Sequence, residues 1–135
     1  MVKRRRGART ARHRSRHRPF DELVALALDS IPEPFASALD EVAVVIGDEP
    51  TADQRRENDV GPDETLYGLY EGVPRTEWGA DWASVPNRIT LFRLPLEEDF
   101  ADPDDLADEV WVTVVHELAH HLGIDDDRLH ELGVD

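Results

Sequence analysis

His116-Glu117-Leu118-Ala119-His120-His121-Leu122-Gly123-Ile124-Asp125-Asp126 decides how this chain is read. The stretch opens with His-Glu-x-x-His, reaches Gly123 three residues after the second of these histidines, and reaches Asp126 three residues later. On a helix, side chains four residues apart lie about 40° from one another around the axis, so imidazoles at 116 and 120 can reach one ion. Glu117 stands about 100° around from His116, on the side where a bound water belongs, which is the place of a general base. A straight helix offers no third ligand at a tetrahedral angle. Gly123 lets the chain reverse, and Asp126, the eleventh residue counting from His116, is the donor it brings back. An ion held by His116, His120 and Asp126 keeps a fourth position open for water, as a catalytic zinc does.

The flanking residues supply the helix. Asp102-Pro103-Asp104-Asp105 offers an N-cap, a proline in the first turn and acids at the positive end of the dipole. The helix is predicted to run to Leu122 and to end at Gly123. Val110, Val114, Leu118 and Leu122 recur one turn apart, with Trp111 and Val115 beside them, as a stripe facing a core. Glu109, Thr113, His116 and His120 share a different face. Glu109 and Thr113 suit either the orientation of a ligand imidazole or an ordinary polar face. His121 leaves the metal face and reads as either a support behind a ligand or a surface residue. Residues 125–132 form a short final helix, and Asp126 has a competing role as its cap. Asp125 and His130 are the alternative third ligands.

Upstream, Phe20, Leu23, Val24, Ala27 and Leu28 predict a helix over residues 20–30, interrupted by Ile31-Pro32-Glu33-Pro34, with a helical turn over residues 34–39. Val42-Ala43-Val44-Val45-Ile46 reads as a buried strand ended by Gly47. Residues 48–63 read as a mobile polar loop. Thr65-Leu66-Tyr67-Gly68-Leu69-Tyr70 and Arg88-Ile89-Thr90-Leu91-Phe92-Arg93-Leu94 read as two further strands, the second stopped by Pro95. Its alternation puts Ile89, Leu91 and Arg93 on one face and Thr90, Phe92 and Leu94 on the other.

Length allows one domain in 135 residues, and the absence of cysteine excludes disulfides and thiolate-bound zinc. Charge is badly mixed. Residues 1–18 hold nine of the 15 Lys+Arg and none of the 30 Asp+Glu. The six remaining cations against 30 acids leave −24 from Pro19 onward. Composition therefore divides the chain into a disordered basic tail, residues 1–18, and one domain, residues 19–135. The tail suits contact with nucleic acid, another polyanion or anionic lipid, loose folding against its own acidic domain, or a plain solvated extension. No apolar run of signal-peptide or membrane-span length follows it, so the expected location is the cytoplasm, with no membrane partner.

The residues from 20 to 133 resemble the zincin-like metallopeptidases, small bacterial proteins also described as minimal zincins. Val42-Ala43-Val44-Val45-Ile46, Gly68-Leu69-Tyr70-Glu71-Gly72-Val73-Pro74, Pro86-Asn87-Arg88-Ile89-Thr90-Leu91-Phe92 and the run from His116 through Gly133 carry the resemblance. It implies an α+β minimal zincin-like fold: a three- to four-stranded sheet packed on the active-site helix, and a short C-terminal helix. It also implies one Zn2+ on His116, His120 and Asp126, with Glu117 as general base for hydrolysis of a peptide or protein substrate. Such sites present an extended substrate to an edge strand, here residues 88–94, with Trp78 and Trp82 either walling the cleft or packing on the core. The chain departs from true metzincins in having Met1 as its only methionine and Asp in place of a third His. Besides a zinc metallopeptidase, the residues admit a weakly active zinc-bound domain that binds a partner, and a non-peptidase metal hydrolase anchored by the tail. The intact Glu117 disfavours the first alternative. The −24 domain, which repels phosphate, disfavours the second.

Overall fold

The computed structural model describes residues 19–73 and 87–134 with their side chains, and the backbone of residues 2–5. In chain order the elements are β1 (Val2–Arg5), α1 (Phe20–Asp29), α2 (Phe35–Ala38) with a 3-10 turn at Leu39–Glu41, β2 (Ala43–Gly47), α3 (Ala52–Glu57), β3 (Glu64–Glu71), β4 (Arg88–Phe92), α4 (Arg93–Asp99), α5 (Pro103–Leu122) and α6 (Asp126–Leu132). The architecture is α+β. The sheet order is β1-β3-β4-β2, antiparallel at its first two pairings and parallel at the last.

The long helix α5 forms as its sequence dictates. The Asp102 carboxylate accepts the amides of Asp104 at 2.8 Å and Asp105 at 3.3 Å, two donors that the first turn cannot satisfy internally. At the other end Gly123 takes φ 75°, and the amides of Gly123 and Ile124 turn back to the carbonyls of His120 and Ala119. Val110, Val114 and Leu118 are fully buried against Tyr67, Tyr70, Ile89 and Leu91 of the sheet, and Phe20, Leu23, Val24 and Ala27 of α1 complete the same core. Leu66, Leu69 and Phe92 make a smaller cluster roofed by Val60. The alternation read in residues 89–92 is therefore real: Ile89 and Leu91 enter the main core and Phe92 enters the other. No helix among the described residues is long and apolar enough to cross a membrane.

Four expectations are corrected. Val2–Arg5, placed in a disordered tail by composition, form a strand on β3, because an open strand edge supplies backbone partners whatever the side chains. Residues 43–47 form an edge strand rather than a buried one: parallel pairing to β4 leaves Val45 and Ile46 exposed, and only Val42, just before the strand, is buried. The polar loop contains α3, opened by a capping box in which Thr51 and Gln54 exchange side-chain-to-amide bonds of 3.0 and 2.9 Å. Residues 88–94 do not form an edge strand. β4 lies between β3 and β2, so it has no open ladder for substrate, and Pro95 falls in the first turn of α4, where proline is tolerated. Trp78 and Trp82 lie outside the described residues.

Gly68 marks the closest approach of sheet and helix. A Cβ there would stand 2.5 Å from Thr113 Cγ2, a short β-branched side chain with little freedom to move. Gly68→Ala is expected to cost about 1–3 kcal/mol by overpacking. Pairing it with Thr113→Ser, which removes that methyl, should recover most of the loss in urea denaturation. Simple addition of the two single effects would show that the methyl is not the obstacle.

Candidate active site

Glu117 is the most enclosed acid of the described chain. It is fully buried in the strip of α5 that also carries Glu109 and Thr113, and its Oε1 accepts the amide of Tyr70 in β3 at 2.8 Å. Burial pushes its carboxyl above the ordinary carboxylate range, while the Tyr70 amide, which favours the ionised form, pulls the other way. A buried carboxyl beside a helical His pair is the kind of group that serves as a general base.

His116 and His120 lie one turn apart on α5, the first half-buried and the second exposed. Tyr70 fixes the second. Its ring stands 5.1 Å from the His120 ring, centroid to centroid, and 5.6 Å from that of His121. The Tyr70 hydroxyl is tied to Asn87 Oδ1 at 2.9 Å and to His121 Nδ1 at 2.8 Å, and His121 Nε2 meets Glu41 Oε1 at 3.0 Å. Asn87 Oδ1 also accepts the amide of Val73 at 2.8 Å. One strand residue thus holds the general-base candidate through its backbone and one imidazole through its ring, while a buried polar chain fixes its hydroxyl.

Glu41, Tyr70 and Asn87 were not legible as part of a site, while His121 reads from the sequence as either a support behind a ligand or a surface residue. His121 does not merely leave the metal face; it is buried. A signal existed for it: seven residues beyond Val114, it falls within about 20° of that core residue around the helix. Nothing in the spacing of residues 41, 70 and 87 announces their meeting.

The third expected ligand is not gathered with the histidines. Among the described residues no three His, Asp or Glu side chains stand together so as to hold a metal. Asp125 serves as the N-cap of α6, its carboxylate accepting the Arg128 amide at 2.8 Å, and Asp126 opens the helix with its side chain exposed. The cap therefore belongs to Asp125 rather than Asp126, which leaves the Asp126 carboxylate uncommitted by that role. His130 is exposed in the same helix. The donor chemistry present fits zinc in kind: two imidazoles at helical spacing beside a buried carboxylate, and an exposed carboxylate just past a left-handed glycine turn.

A model of the zincin-like metallopeptidase family matches residues 39–134. The chain belongs to this family. Its match covers β2 through α6, the whole of the sheet-and-helix unit except β1, α1 and α2. Among solved structures, a conserved hypothetical protein from Thermus thermophilus is similar at 28% identity over 86% of this chain and 96% of that one, with a TM-score of 0.48. No curated protein matches the chain. Membership of the zincin-like family indicates metallopeptidase-type function at the level of the family.

Proposed function

We propose that this chain is a zinc-dependent metallopeptidase, with one zinc on His116, His120 and Asp126 and with Glu117 as general base. The observation that carries the reading is Glu117 itself: a buried carboxyl beside a helical His pair, aimed by the amide of a sheet strand. An acid in that setting costs stability, because burial penalises its ionised form, and a costly buried acid beside a His pair is the mark of a functional site. A bound zinc would lower the pKa of water toward about 7 and polarise the scissile carbonyl. Glu117 takes the proton from the attacking water and passes it to the departing amine, so that bond cleavage releases a neutral amine rather than an amide anion. The Tyr70 amide keeps Oε1 in place throughout, and the Tyr70 ring limits how the His120 imidazole can turn.

Any polyanion contact belongs to the basic run of residues 1–18, since the −24 carried from Pro19 onward repels phosphate at the site. Metal analysis of the purified protein, together with cleavage of a broad peptide library before and after chelation, tests the reading. Stoichiometric zinc with chelator-sensitive cleavage is the expected result. Zinc without cleavage of any peptide would replace the enzyme with a partner-binding domain.

A further inference from the structure

The contacts of Tyr70 close into a ring. Its hydroxyl meets Asn87 Oδ1 at 2.9 Å, and the Asn87 carbonyl accepts the amide of Ala43, the first residue of β2, at 3.0 Å. Glu41 stands two residues before Ala43, and its Oε1 meets His121 Nε2 at 3.0 Å. His121 Nδ1 then returns to the Tyr70 hydroxyl at 2.8 Å. Asn87 Oδ1 also takes the Val73 amide at 2.8 Å, so the exit of β3 is tied to the same point. Tyr70, Asn87 and His121 are buried, and Glu41 is partly buried.

Each hydrogen in the ring has one place. Asn87 faces the Val73 N–H with an acceptor, so its amide cannot be turned to put the NH2 there. Two oxygens at 2.9 Å need a hydrogen between them, so Tyr70 gives its single hydroxyl hydrogen to Asn87. Only lone pairs remain for His121, whose Nδ1 therefore carries the N–H that Tyr70 accepts. At the far side of the imidazole, Nε2 and the Glu41 oxygen hold a proton between them. Reversing any one bond would set donor against donor, or acceptor against acceptor, at the next.

Packing alone does not call for this arrangement, since a phenylalanine would fill the space of the Tyr70 ring. A buried polar chain rigidifies what it touches only when every member is satisfied, as here. What it holds is the residue on which two site groups depend: the Tyr70 amide bonds Glu117 at 2.8 Å, and the Tyr70 ring stands 5.1 Å from that of His120. A shift at the hydroxyl reaches both.

We propose that Asn87, and Glu41 acting through His121, are positioning residues that set Glu117 and His120 together by fixing Tyr70 from opposite sides. The consequences for zinc and for cleavage rest on the peptidase reading; the seating of Tyr70 does not.

Asn87→Ala and Glu41→Ala, made separately in the full chain, test this beside the conservative Asn87→Asp and Glu41→Gln. Asp keeps the acceptors used by Val73 and Tyr70, and Gln can meet His121 Nε2 with either its oxygen or its NH2. The alanine variants should bind zinc about 10- to 100-fold more weakly, as when a group that orients a ligand is lost. They should also shift the visible absorption bands of the cobalt-substituted protein. Saturated with zinc, they should lose kcat by up to about 100-fold with KM unchanged, because the displaced groups do the chemistry and neither variant touches substrate. The conservative variants should recover wild-type behaviour in all three. Tyr70→Phe should match Asn87→Ala, and the two together should lose no more than either alone, since both act through one hydroxyl. Alanine variants that melt lower yet keep wild-type zinc affinity, cobalt spectrum and kcat would reduce the ring to a stabilising element and overturn the proposal. If they do not fold, Tyr70→Phe decides, and full zinc affinity and kcat in that variant overturn it equally. A wild-type protein that holds no zinc removes the peptidase reading instead. The seating of Tyr70 is then read from hydrogen exchange of its own amide, which should quicken in metal-free Asn87→Ala and Tyr70→Phe as its bond to Glu117 loosens, and unchanged exchange there would overturn the positioning role.

Discussion

Glu117→Gln is expected to lower peptide hydrolysis by roughly 10²- to 10⁴-fold while leaving zinc content unchanged, because an amide accepts no proton from water and general-base catalysis of this kind contributes about that much. The substitution is nearly isosteric, and the Gln carbonyl can keep the hydrogen bond that Glu117 Oε1 receives from the Tyr70 amide. Stability separates this result from damage to the fold. Burial raises the Glu117 carboxyl above its ordinary value, so in the metal-free protein the native state holds this proton after the unfolded chain has lost it. The stability of the neutral carboxyl is fully present below the unfolded value, about 4.3, and falls as pH climbs through the raised native one. Metal-free Glu117→Gln should therefore melt higher than metal-free wild type at pH 7.5, and the two should converge near pH 4. A variant that loses both activity and melting temperature at neutral pH would show that Gln disturbs the packing, and activity retained within threefold would remove Glu117 from the reaction.

How far the sequence could be read depended on the range of the interaction. α5 was legible end to end, since its cap at Asp102, its stripe through Val110, Val114 and Leu118, and its glycine stop at residue 123 are all local signals. The capping box of α3 was equally local, a Thr-x-x-Gln at residues 51–54, but the surrounding charge disguised it as loop. Strand order was not legible. Val42-Ala43-Val44-Val45-Ile46 is the most hydrophobic strand segment and lies at an edge, while residues 88–92, with their charged start, lie in the interior of the sheet. A pattern of side chains says which face is apolar, and says little about which strand sits beside which. The same limit hid the site's supports: Tyr70 meets Glu117, His120, His121 and Asn87 only after β3 is laid along α5. Residues 116–120 announced the ligand pair because a helix turns sequence spacing directly into proximity.

Metal affinity should divide the three proposed ligands from their neighbours. His116→Ala or His120→Ala is expected to weaken zinc binding by at least about 100-fold, beyond the roughly 10- to 100-fold carried by groups that only orient a ligand. Tyr70→Phe belongs to that lesser class: it keeps the ring beside His120 and the amide on Glu117, and loses only the hydroxyl that anchors the ring to Asn87 and His121. Asp126→Ala is the decisive case. Its carboxylate is exposed and the α6 cap is made by Asp125, so removing it should leave melting of the metal-free protein nearly unchanged. Asp125→Ala should instead cost about 1 kcal/mol through loss of the cap, with little effect on zinc once folded. If calorimetric zinc titration shows Asp126→Ala binding like wild type, the third donor lies elsewhere, and His130→Ala, from the exposed face of the same helix, becomes the variant in which the affinity must fall.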